Sequence, residues 1–268
     1  VELDPRLVPD RDRPGAWTVN CGGADQSYVD PADPTYLEFF YVQRIADVID
    51  TSFPPGQRIS VLHVGGAGLT IPRYVAHTRP TSAQIVFEPD ETLTMAVRQV
   101  VPLPRHSGIK IRPVDGCTGL AAIRDDYADL VVIDAFHGSQ VPAEFASKGW
   151  WAELQRVVHQ GGTVTMNVID HAPFHYTKRL VAGAQRAFAK VIVGAEPAVL
   201  RGRRFGNVLI TAGHFSSAKL EQAAWAAAFP FRYIQGPDLG QWLSKAQPFT
   251  DQDAESSPLP PPNWRSSA

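Results

Sequence analysis

Five short apolar runs, each followed by a turn and most by a helix-length amphipathic stretch, constrain this chain more than any other feature. They are Ile59–Val64, Gln84–Glu88, Ile109–Val114, Leu130–Asp134 and Thr163–Val168. Helical periodicity fills the intervals at about Leu69–His77, Glu91–Val101 and Trp150–His159, and returns at about Tyr176–Phe188. Strands alternating with helices cannot pair as hairpins. They form a parallel sheet wound on both faces, because each crossover must pass over one face of the sheet. Val191–Val193 and Asn207–Thr211 read as closing strands, and the short loop between them makes them an antiparallel pair. A last helix is placed near Ala218–Ala228.

Three units follow. Residues 1–55 hold a Pro-, Asp- and Arg-rich arm over 1–15, then a hairpin of Ala16–Asn20 and Gln26–Val29 around Gly22-Gly23, then a helix from Asp33-Pro34-Thr35 to about Asp50. Residues 56–248 carry the alternating pattern. Residues 249–268, with the run Pro258-Leu259-Pro260-Pro261-Pro262, are expected to be a disordered or extended tail.

Composition narrows the function classes. A formal net charge of −2 gives no overall basic field to hold a nucleic-acid backbone, although Arg201, Arg203 and Arg204 form a local cluster. No apolar run approaches the ~18 residues needed to span a bilayer, and the first residues lack a signal-like apolar core, so a cytoplasmic location is expected. The two cysteines, Cys21 and Cys117, are too far apart to suggest a disulfide framework and have no partners at zinc-ligand spacing. His171 and His175 lie four apart beside Asp170, but Pro173 intervenes and no third ligand is evident, so no metal site is expected.

In a doubly wound sheet, ligands bind at the carboxyl ends of the strands, near the point where strand order reverses. Four strand ends carry suitable groups here. The first enters Gly65-Gly66-Ala67-Gly68, whose small residues let backbone approach a ligand closely. The third glycine of a dinucleotide fingerprint is replaced by Ile71, which suits a nucleoside better than a pyrophosphate. Glu88 ends the second strand at the spacing of an acid that holds ribose hydroxyls. Asp115-Gly116 end the third; the carboxylate there can accept an adenine amine or cap the turn before Thr118. Asp134 ends the fourth, beside the expected nucleoside, where an acid can bind and deprotonate an amine or balance a sulfonium charge.

The order Gln26, Tyr41, Gly65-Gly66-Ala67-Gly68, Glu88, Asp115-Gly116, Asp134 resembles the spermidine synthases, the polyamine aminopropyltransferases. The likeness runs from about Trp17 to Gly213 and includes Leu37-Glu38-Phe39-Phe40-Tyr41, the loop Asp134-Ala135-Phe136-His137-Gly138 with Val141-Pro142-Ala143, and the turn Gly161-Gly162. It implies a seven-stranded, mostly parallel Rossmann-like sheet of the methyltransferase type with a small N-terminal β-hairpin unit. It further implies transfer of an aminopropyl group from decarboxylated S-adenosylmethionine to a di- or polyamine, without a metal, by a homodimer. Asp134 would be the base, with Tyr41 and Gln26 lining the cleft, Glu88 on the ribose and Asp115 on the adenine.

Three positions depart from the family. Gly68 stands where its glycine loop carries an acid for the donor's amine, and His137 where its catalytic loop has a second acid. Gln43 replaces a glutamate two positions after the tyrosine. Each charge-assisted hydrogen bond to an ammonium contributes ~1.5–3 kcal/mol, so the losses weaken a polycation site and the choice between decarboxylated and ordinary donor. His137 could act as a neutral base or be an ordinary loop residue. Two other readings therefore stay open: an S-adenosylmethionine-dependent methyltransferase acting on a small nucleophile, and a nucleoside-binding homologue without catalysis.

Overall fold

The structure, a computed structural model, describes residues 4–261. At the N-terminus, β1 (Leu7–Pro9), β2 (Trp17–Cys21) and β3 (Ala24–Val29) form an antiparallel sheet, turned at Gly22-Gly23. The Pro-, Asp- and Arg-rich arm is therefore tied down over its described part. β1 pairs with β2, and the Arg6 guanidinium bridges Asp4 at 2.7 Å and Asp90 at 2.6 Å. Helix α1 (Phe40–Ser52) begins later than Asp33-Pro34-Thr35 suggested. Asp30 and Asp33 instead accept backbone N–H groups of a turn-rich segment, the local alternative to helix that Asp offers.

The alternating region follows in the expected order: β4 (Ser60–Val64), α2 (Thr70–Thr78), β5 (Ala83–Phe87), α3 (Glu91–Val100), β6 (Ile109–Arg112), α4 (Gly116–Ala121) and β7 (Ala128–Ile133). Next come a 3-10 turn (Ala143–Ala146), α5 (Lys148–Val157), β8 (Val158–Asp170), α6 (His175–Ala187), β9 (Val191–Ala195), α7 (Pro197–Leu200) and β10 (Gly206–Gly213). The chain then runs through α8 (Ser217–Ala226), β11 (Arg232–Ile234) and α9 (Gly236–Leu243). Sheet order is β11-β9-β10-β8-β7-β4-β5-β6. β4 through β8 run parallel, while β10 lies antiparallel to both β8 and β9. The strand count is thus eight among the described residues rather than seven. The additional strand, β11, has only three residues, too short a run to give a clear sequence signal.

Period-two alternation divides each central strand between two cores. Leu62, Val64, Val131 and Ile133 face a cluster with Trp150, Trp151 and Leu154 of α5 and Leu180 of α6. Val61, Leu130 and Val132 face α1 and α2 through Ile45, Ile49, Ile71 and Val75. Burial of each such side chain contributes ~1.5–3 kcal/mol, which makes the sheet a rigid platform for what its loops carry. The N-terminal sheet packs Leu7 and Val19 onto Leu93 and Val97 of α3.

The tail also differs from expectation. Residues 249–261 contain no helix or strand, yet Phe249 is 2% and Ser257 0% exposed, so this stretch is docked rather than disordered. The rest of the predicted tail, 262–268, lies outside the described residues. Among the described residues no helix is long and apolar enough to cross a membrane.

Candidate active site

Strand order reverses between β4 and β7: the chain proceeds to β5 and β6 on one side, then to β7 and β8 on the other. The loops leaving these two central strands touch. Gly65 has φ +91°, and a Cβ placed on it would lie 2.3 Å from the Asp134 carbonyl oxygen. Asp134 N–H donates to the Val64 carbonyl at 2.9 Å, and Gly65 N–H to Phe87 at 3.0 Å. Glycine is required here by both conformation and space.

Glu88 closes the far side of the glycine loop. Its Oε2 accepts the Gly66 and Ala67 N–H groups at 2.9 and 3.2 Å, and its Oε1 accepts Asp90 N–H at 3.0 Å. A carboxylate offers about four acceptor positions, so capacity remains for a hydroxyl. Gly66 packs against this side chain, its virtual Cβ 3.1 Å from the Glu88 Cβ.

Asp134 lies at the centre. Tyr41, buried at the start of α1, donates its hydroxyl to Oδ2 at 3.2 Å, and Asn167 of β8 donates its amide to Oδ1 at 2.9 Å. Asn207 of β10 holds Asn167 in turn, its Nδ2 3.1 Å from the Asn167 Oδ1. Desolvation pushes the Asp134 pKa up to about 6, and the bonds from Asn167 and Tyr41 only partly offset this. Burial, with Asp134 beside it, holds the Tyr41 hydroxyl well above its ordinary value, so it stays protonated and donates. The result is a carboxylate with two fixed donors, ionised at neutral pH and more basic than an exposed aspartate.

The other predicted residues are placed as follows. Gln26 is the extra residue of a β-bulge, since Val19 pairs with Ser27 and Asn20 with Asp25. Asp115 caps α4, accepting the Thr118 N–H at 2.9 Å and hydroxyl at 2.7 Å; these bonds lower its pKa. Gly116 sits beneath Phe145 and Val64, where a Cβ would lie 2.5 Å from the Val64 side chain. His137 is exposed in a tight turn, its N–H 2.8 Å from the Gln140 carbonyl. Gln43 spends its amide nitrogen on the Leu37 carbonyl at 2.7 Å. Asp134, Tyr41 and the glycine loop with Glu88 thus form one cluster, while Asp115 and Gln43 are engaged locally.

Gly68 has a structural counterpart that its sequence position conceals. A Cβ there would lie 2.7 Å from Ser27 Oγ, because β3 packs directly on the loop. Ser27 Oγ lies 2.8 Å from Thr70 Oγ1, which donates to the Tyr28 carbonyl at 2.6 Å. Hydroxyls and the N-terminal sheet occupy the space that an acid at 68 would need. Sequence reading missed Ser27, Asn167 and Asn207. Asn167 did leave a signal, as a polar residue inside the apolar strand run Thr163–Val168.

The order of parallel strands with one antiparallel insertion, the glycine loop at the reversal and the small N-terminal sheet define an S-adenosylmethionine methyltransferase-like fold, in an arrangement similar to that of solved spermidine synthases. The chain is similar to a probable spermidine synthase from Corynebacterium glutamicum, with a TM-score of 0.84, 26% identity and coverage of 91% of this chain and 92% of that one. A spermidine synthase in complex with the transition-state analogue AdoDATO shares the fold at TM-score 0.55 and 12% identity, over 94% of this chain and 81% of the other. Human methyltransferase-like protein 13, in complex with SAH, shares it at TM-score 0.56 and 16% identity, over 79% and 94% respectively. No protein-family model and no curated protein sequence matches the chain.

Proposed function

We propose that this protein transfers an aminopropyl group from decarboxylated S-adenosylmethionine to a small amine. The observation that carries the reading is the Asp134 carboxylate, held by Tyr41 and Asn167 on a residue whose backbone carbonyl abuts the loop at Gly65. The likeness to a probable spermidine synthase over nine-tenths of both chains supports it.

In this reading the adenosine lies along the glycine loop, with Glu88 accepting from the ribose. Asp115, at the mouth of the third strand, is within the same strand-end edge and would meet the base. The acceptor nitrogen sits against Asp134, which takes its proton as the nitrogen attacks the carbon bonded to sulfur. That carbon–sulfur bond breaks, its electron pair stays on sulfur, and methylthioadenosine leaves neutral. A base with pKa near 6 is ionised at pH 7 and lies closer to the working pH than an ordinary aspartate, which favours proton transfer. Only one carboxylate serves the acceptor, since His137 and Gln43 replace the family's acids. A monoamine or diamine fits better than a long polycation.

One observation favours a second reading. With Gly68 covered by Ser27, no acid opposes the carboxylate of ordinary S-adenosylmethionine, so methyl transfer from that donor is the alternative. Mass-spectrometric product analysis separates the two. Aminopropyl transfer releases methylthioadenosine from the decarboxylated donor and an amine; methyl transfer releases S-adenosylhomocysteine from the ordinary one. No product from either donor across a broad amine panel would overturn both.

A further inference from the structure

The loop that carries Asp134 is anchored at both ends, and its far anchor comes from the docked tail. Asp134 is fixed to β4 through its N–H, as described. Val141, fully buried, closes the other end: its N–H donates to Ser257 Oγ at 2.8 Å, and its carbonyl accepts Ser257 N–H at 3.1 Å. Gln140 adds a bond from its side-chain amide to the Ser257 carbonyl. Between the anchors, His137 and Gln140 exchange backbone hydrogen bonds in a tight turn with Gly138 at φ +62°.

The tail is well placed to hold this loop because it is itself fastened upstream. Phe249 is inserted in the core beside Tyr176, with Arg179 stacked 3.9 Å above its ring. Arg179 also pairs with Asp253 at 2.5 Å, and Asp251 accepts the Gly149 N–H at 2.8 Å. The tail therefore joins α6, the start of α5 and the Asp134 loop.

We propose that residues 249–261 form a strap that positions the acceptor side of the site, with Ser257 as the positioning residue for loop 134–141. The role in acceptor binding rests on the transferase reading; the hold on the loop does not. Ser257 touches no reacting atom in this proposal. It acts through Val141 and Gln140; losing its hydroxyl removes the bond to the Val141 N–H and loosens the loop at that end, while its two backbone bonds to Val141 and Gln140, the glycine loop and Glu88 stay in place.

The test uses the full chain with Ser257→Ala, and Ser257→Thr as the variant that keeps the hydroxyl. Hydrogen exchange is followed at Val141 and neighbouring amides, and steady-state constants are measured for amine and donor separately. Losing one hydrogen bond predicts about five- to tenfold faster exchange at Val141 in Ser257→Ala. It also predicts a rise of similar size in the amine KM, with the donor KM unchanged and both effects reversed in Ser257→Thr. Unchanged Val141 exchange in Ser257→Ala overturns the strap. Faster exchange with equal loss for donor and amine, or with no change in either, overturns its acceptor role. If the unsubstituted chain turns over no amine, the transferase reading fails, and the exchange result alone decides whether the strap holds the loop.

Discussion

Asn167 Nδ2 lies 2.9 Å from Asp134 Oδ1, one step beyond the Ile133–Met166 pair of neighbouring parallel strands. Asn207 holds the Asn167 carbonyl oxygen, so the amide can turn only its nitrogen toward Asp134. Under the proposed transferase reading, this leaves Oδ2, with its longer 3.2 Å bond to Tyr41, as the oxygen for an incoming amine. Sheet register thus sets the orientation of the Asp134 carboxylate.

Replacing Asn167 by Ala removes a donor that lowers the Asp134 pKa. The acid limb of the rate profile, centred near pH 6 in the unsubstituted chain, is expected to move to higher pH. A loss of about tenfold in kcat/KM at pH 7 should accompany it, as for a hydrogen bond to a charged group. A pH–rate profile with an unmoved acid limb would remove Asn167 from the site.

The same carboxyl has a stability consequence. Its pKa is near 6 when folded against 3.8 in the ordinary state, so the protonated form suits the fold and the ionised form strains it. Stability from this group is full below about pH 4 and is lost as pH rises through 6. Asp134→Asn should abolish turnover, and should match the unsubstituted chain near pH 4 yet exceed it at pH 7.5, by at most ~3 kcal/mol. Urea unfolding at the two pH values measures the difference.

Gly65 and Gly138 both have positive φ but differ in surroundings. Alanine at 65 would press against the Asp134 carbonyl, whereas alanine at 138 meets open space. Gly138→Ala should cost ~1–2 kcal/mol, the conformational penalty alone. Gly65→Ala should cost ~4 kcal/mol or more and eliminate nucleoside binding, because the backbone of two loops must separate. Thermal melts with and without methylthioadenosine compare them.

Restoring the family's acid by Gly68→Asp should fail on its own, because Ser27 fills the space. Overpacking there costs ~1–3 kcal/mol. Paired with Ser27→Gly, the new carboxylate has room and should favour the decarboxylated donor over the ordinary one. Competition binding between the two donors reads the preference directly.

Much of this arrangement was legible in the sequence because two periodicities carry it. The strand runs ending at Glu88 and Asp134 alternate faces, and the helices between them repeat every 3.6 residues. Asp134, Glu88 and the glycine loop stand out in the sequence as strand ends, and Tyr41 through the resemblance to the spermidine synthases; the structure brings Tyr41 to 3.2 Å from Asp134. Three features were not legible. β11 is only three residues long, and the tail's Pro- and Ser-rich composition reads as disorder although Phe249 and Ser257 dock it. The roles of Ser27 and Asn207 depend on contacts over 40 residues or more, which no local pattern encodes.

Calorimetric titration with methylthioadenosine, S-adenosylhomocysteine and decarboxylated S-adenosylmethionine tests the proposed adenosine site at the β4–β7 junction most directly. Saturable binding of methylthioadenosine at a single site, abolished by Gly65→Ala and retained in Asp134→Asn, is the predicted result. No heat from any of the three nucleosides, or binding that survives Gly65→Ala unchanged, would contradict it.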